Sequence, residues 1–157
     1  MPRRFLTLPL LALLVLATRP AVAEVRAGSF RSESLGREVG YVVDLPPSYA
    51  TSGDRRYPVV YALHGLFERS GFWERRGLAP ILARLREGGE VPELLVVAVD
   101  GGNSFFVNAP GGRYEDLVTR DLVAHVESTF RVVPGRRGRA LLGVSMGGYA
   151  ALRIAFT

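Results

Sequence analysis

The 157-residue sequence predicts an α/β fold with a mostly parallel sheet that is entered through an antiparallel hairpin. Three observations carry this expectation. Residues 57–63 and 94–99 are continuous apolar runs of strand length, the pattern of strands buried on both faces. Between them Leu78, Ile81, Leu82 and Leu85 recur at helical spacing and Gly88-Gly89 stops the segment, which makes it a crossover helix. Further on, the apolar residues Ala140, Leu141 and Leu142 run into Gly143-x-Ser145-x-Gly147, and a helix-forming Ala/Leu segment follows at once.

The first 23 residues are expected to be a signal peptide rather than part of the fold. Arg3 and Arg4 precede an apolar run over residues 5–17, Thr18, Arg19 and Pro20 break it, and Ala21-Val22-Ala23 offers a small-x-small cleavage site before Glu24. The run is too short for a membrane span, so no stable membrane anchor is expected and the protein reads as secreted or periplasmic. Arg3, Arg4 and Arg19 leave with the signal, so 17 basic residues face 15 acidic ones and the formal charge falls from +5 to +2. What remains has one dense basic cluster, Arg136, Arg137 and Arg139, which without interleaved aromatics reads as a solvated loop before a strand rather than a nucleic-acid patch, so no nucleic-acid partner is expected. The absence of cysteine excludes a disulfide scaffold, a thiol nucleophile and a thiolate metal site. His64 and His125 lie far apart without carboxylates at ligand spacing, so neither a metal nor a cofactor is expected.

Residues 25–33 and 37–45 read as the hairpin, turning at Gly36, with Val39, Tyr41 and Val43 alternating along its second strand. Pro46-Pro47 ends it, and a polar connection leads to the first buried strand. That strand empties into His64-Gly65-Leu66. The loop over residues 67–77 carries Phe72 and Trp73, which either wall a substrate pocket or cover the core. The second buried strand ends at Asp100-Gly101-Gly102-Asn103, the strand end where α/β sites gather, and Asp100 reads as a turn former or loop anchor there. Residues 104–113, with Phe105 and Phe106, form an irregular loop placed to line the site. Residues 114–130 read as a helix with Leu117, Val118, Leu122, Val126 and Phe130 on one stripe and His125 at its border.

The turn at Ser145 has the residues of a nucleophile elbow. A serine raised clear of a sheet needs a strained backbone, and side chains two positions either way would collide with the neighbouring strand and helix, which Gly143 and Gly147 avoid. At a helix start the free amide of Met146 faces an oxygen that turns negative in acyl transfer, and the helix dipole assists. A glycine-rich helix start with Ser145 as an ordinary N-cap would show the same three residues.

Several motifs in one order resemble the esterase-D-like esterases, the group that includes S-formylglutathione hydrolases, feruloyl esterases and secreted mycolyltransferases. They are Leu45-Pro46-Pro47-Ser48-Tyr49, then Val59-Val60-Tyr61-Ala62-Leu63-His64-Gly65, then Val99-Asp100-Gly101-Gly102, then Gly143-Val144-Ser145-Met146-Gly147-Gly148. The resemblance implies an α/β-hydrolase fold, Ser145 as nucleophile, and the amides of Leu66 and Met146 as the oxyanion hole. In such folds the triad acid and histidine follow the nucleophile, so His64 shapes its loop and does not act as the base. The chain is accordingly expected to be the N-terminal part of a single α/β-hydrolase domain, residues 24–157, truncated after the elbow. The implied activity is serine ester hydrolysis on a small-molecule or glycan-linked ester. An acyltransferase of the mycolyltransferase type, or a non-catalytic carbohydrate- or envelope-binding protein on the same scaffold, stands beside it.

Overall fold

A computed structural model describes residues 23–157. Apart from Ala23, the expected signal peptide lies outside the described residues. Strands β1 (Glu24–Ser32) and β2 (Arg37–Leu45) pair antiparallel from Glu24↔Leu45 to Ser32↔Arg37, with Gly36 at φ 63° in the turn between them. Next in the chain come β3 (Val59–Leu63) and β4 (Leu95–Val99), and near its end β7 (Arg139–Gly143). The sheet runs β1-β2-β4-β3-β7: β4, β3 and β7 are parallel, and β2 joins the hairpin antiparallel onto β4.

The two apolar runs are continuous because both sheet faces are covered. On one face α2 (Leu78–Glu87), the expected crossover helix, packs Leu82 against Ala62, Val96 and Ala98. Trp73 joins that cluster, so it covers the core. The opposite face carries the larger core, where Val59, Tyr61 and Leu63 of β3 and Val97 and Val99 of β4 meet Leu117, Leu122 and Val126. Alternate residues of one strand thus serve two cores.

Three elements depart from the sequence expectation. Within the loop at 67–77, α1 (Phe72–Arg75) coils into one turn. The irregular segment after β4 contains a two-residue ladder, β5 (Asn108–Ala109) with β6 (Gly112–Arg113). The long helix is α3 (Tyr114–Asp116), a π-helical stretch Leu117–Leu122 and α4 (Val123–Thr129). Its apolar stripe is buried as expected, and His125 lies at the border against Phe30 and Tyr41. The last helix, α5 (Met146–Ala155), lies on the larger core through Met146 and Ala150.

Candidate active site

Ser145 stands between the C-terminal end of β7 and α5 with φ 52° and ψ −118°, a combination that side-chain-bearing residues rarely adopt. Its side chain makes no capping hydrogen bond, so the serine is not holding the helix start as an ordinary N-cap, and it is exposed. The glycines on either side have the steric reason read from the sequence. A Cβ at Gly143 would overlap the backbone of Gly147, and one at Gly147 would overlap the Leu63 carbonyl of β3. The elbow can close onto the sheet only with both positions bare.

The loop after β3 arrives beside it. A Cβ built on Gly65 would sit 3.6 Å from the Ser145 Cβ, which places the Gly65-Leu66 backbone next to the hydroxyl. Met146 opens α5, so its N–H has no intrahelical acceptor. The Leu66 N–H likewise finds no acceptor among the described residues. Ser145, Leu66 and Met146 are therefore brought into one neighbourhood, with two amides unspent.

His64 explains why the Leu66 amide is free. The ring is buried, and its Nε2 accepts the Gly101 N–H at 3.0 Å, so its own proton sits on Nδ1 and is donated to the Gly65 carbonyl at 2.7 Å. A planar trans peptide sets C=O and N–H on opposite sides, so holding the Gly65 oxygen toward His64 turns the Leu66 N–H away from it. Both ring nitrogens are committed, and Asp100 stands 3.9 Å from Nε2, beyond hydrogen-bond reach. Asp100 instead accepts the Gly102 N–H at 3.1 Å and pairs with Arg69 at 3.2 Å. His125 is elsewhere, stacked on Phe30 at 4.9 Å, and its burial lowers its pKa. Among the described residues no imidazole is hydrogen-bonded to Ser145.

The two phenylalanines after β4 divide their work. Phe106 is fully buried, edge-on to His64 and lying over Gly101, where a Cβ would overlap its ring. Phe105 is exposed and meets Tyr149 edge-to-face at 6.1 Å; Tyr149 lies one helical turn beyond Ser145 on α5. Sequence reading missed this pair and also the side chain of Asn103, which accepts the Phe67 N–H at 2.8 Å. The signal for both was the strand-end loop itself, whose residues the sequence names without saying which element they touch. No group of side chains suited to holding a metal ion occurs among the described residues, and no described helix is long and apolar enough to cross a membrane.

Residues 32–157 match the protein family described as "Putative esterase". An esterase of Mycobacterium tuberculosis, Esterase Rv1288, is 32% identical over 134 residues, which cover 80% of this chain and 28% of that protein. An endo-1,4-beta-xylanase/feruloyl esterase of Xylanibacter ruminicola is 30% identical over 129 residues, 76% of this chain and 18% of its own. Among solved structures a ferulic acid esterase superposes with a TM-score of 0.77 at 30% identity, covering 83% of this chain and 52% of that one. An S-formylglutathione hydrolase from Agrobacterium tumefaciens gives 0.69 at 25% identity, covering 88% and 54%. The chain thus spans less than a third of those curated relatives and about half of those solved structures. The match over residues 32–157, together with the elbow and the sheet that carries it, establishes that the chain belongs to the "Putative esterase" family and has the α/β-hydrolase fold.

Proposed function

We propose that the protein is an exported serine ester hydrolase that works through an acyl-enzyme on Ser145. The observation that supports this most is the strained, uncapped and exposed Ser145 at the β7–α5 turn, beside a loop whose Leu66 amide is unspent. In this reading the Ser145 Oγ attacks the ester carbonyl carbon while its proton passes to a base. The tetrahedral oxyanion is held by the Leu66 and Met146 N–H groups, with α5 contributing its positive end. The intermediate collapses, the alcohol leaves with a proton, and water then cleaves the acyl-serine to release the acid and restore the hydroxyl. His64 and His125 are both committed to other roles, so the base and the acid that orients it come from outside residues 23–157.

The exposed Phe105–Tyr149 pair offers rings on which a flat acyl group stacks, and the ferulic acid esterase among the structural relatives fits such a substrate. Small-molecule or glycan-linked aromatic esters are the substrate class. Export rests on the charged start and short apolar run of residues 1–23, and N-terminal sequencing of the mature protein is expected to begin at Glu24. Material that still begins at Met1 would remove that part.

The deciding experiment is active-site labelling of the full-length protein. A fluorophosphonate probe is expected to label it, and Ser145→Ala is expected to lose both the label and ester turnover. Label that persists in the alanine variant would overturn the assignment.

A further inference from the structure

We propose that Asn103 is a positioning residue for the oxyanion hole. It accepts the Phe67 N–H at 2.8 Å and so fixes the Leu66–Phe67 peptide and, through it, the aim of the Leu66 amide. This rests on the reading of Ser145 as a nucleophile.

Leu66 lies between two pinned peptide planes. The one before it is held by His64 through the Gly65 carbonyl, and the one after it by Asn103 through the Phe67 N–H. Both supports come from the loop after β4, since His64 is itself held by the Gly101 N–H. Phe67 needs such a support. It sits at φ 63°, the left-handed region that a residue with a Cβ adopts at a cost, and its side chain is 85% exposed, so side-chain packing does not hold it there. Without the Asn103 bond the backbone at Phe67 is free to return to an ordinary conformation, and the Leu66–Phe67 peptide turns with it.

The support is built to be rigid. Ser104 Oγ donates to the Gly101 carbonyl at 2.6 Å and accepts the Phe106 N–H at 3.0 Å, while Asp100 accepts the Gly102 N–H. Phe106 clamps Gly101 from the core side. A side chain that must hold a catalytic amide to a fraction of an ångström belongs on a loop braced in this way. The Asn103 amide spends its oxygen on Phe67 and, together with Phe67, Glu68, Arg69 and Gly102, lines a small cleft of about 180 Å³ between the two loops.

The test compares Asn103→Leu, which keeps the shape and removes the acceptor, with Asn103→Asp, which keeps the acceptor, in the full-length protein on a short-chain aryl ester. The leucine variant is expected to lose roughly 10- to 100-fold in kcat, less than deleting an oxyanion donor outright, with KM within about twofold. An arylboronic acid, whose serine adduct places an oxygen in the same hole, should bind more weakly by a similar factor. The aspartate variant should recover most of the loss. Unchanged kcat in the leucine variant, a loss carried by KM, or an aspartate variant as poor as the leucine one would overturn the inference while leaving the Ser145 reading in place. Absence of fluorophosphonate label in the unsubstituted protein would remove both.

Discussion

At the scale of single residues, the two histidines show how environment assigns a role to one side chain type. His64 has a donor for one nitrogen and an acceptor for the other, so it works as a strut between two loops. His125 has its Nε2 buried without a partner and packs against Phe30 face to face and Tyr41 edge-on, and burial therefore lowers its pKa. A lowered histidine value means that the unfolded chain binds the proton first as pH falls. The folded state is favoured fully above the ordinary imidazole range, and stability is lost as pH drops from there through the lowered folded value. His125→Phe keeps a ring against Phe30 and Tyr41 and removes the titration. Thermal melts between about pH 7 and pH 5 should show a shallower loss of stability in that variant. An equally steep loss would mean that another group sets the slope.

At the scale of elements, the crossover helix α2 is tied to the hairpin by a buried ion pair. Arg86 donates to Asp44 Oδ1 at 3.1 Å and to the Leu94 carbonyl at 3.1 Å, while Asp44 Oδ2 and two Arg86 nitrogens find no partner. Desolvation raises the Asp44 pKa, and Arg86 offsets it in part. A pair with this geometry recovers only some of its desolvation cost, so its worth lies mainly in not being broken. Arg86→Met is expected to cost about 3–5 kcal/mol in denaturant unfolding because it strands the Asp44 carboxylate, and adding Asp44→Leu should restore most of it. A single variant as stable as the parent would show that Asp44 takes up its proton, or reaches water, at little cost.

At the scale of the whole molecule, the described residues present an uneven surface. β1 closes one edge of the sheet and β7 the other. Flanking this edge, Leu142 and Val144 and, on α5 and just past its end, Tyr149, Leu152 and Phe156 are large apolar residues left exposed. A groove of about 470 Å³ runs between the π-helical stretch and α5 over Tyr61, Val118 and Leu141; its lining includes Arg139, at the end of β7 opposite to Ser145. An unpaired edge flanked by apolar side chains favours association with other chains. A polypeptide of residues 24–157 is therefore expected to self-associate in sedimentation velocity, to show negligible ester turnover, and to become more monomeric with Leu142→Lys and Leu152→Lys together. A monomer with robust turnover lost on Ser145→Ala would reverse the assignment of the base to residues outside this segment.

The sequence by itself determined the order of the elements and the position of the elbow, because both are written in short-range terms. Periodicity places a buried strand, and two glycines flanking a serine between strand and helix place the turn. Val39, Tyr41 and Val43 alternate along β2 in the sequence and are buried, yet Asp44 on the other side is buried as well, because α2 and its Arg86 cover that face. The π-helical stretch was illegible for a related reason: its stripe of Leu117, Val118 and Leu122 fits ordinary helical spacing. What only the tertiary structure decided are the contacts between strand-end loops: His64 with Gly101, Asn103 with Phe67, Phe105 with Tyr149. Those partners lie 36 or more residues apart and meet because β3, β4 and β7 are neighbours in the sheet, an adjacency that local pattern does not encode.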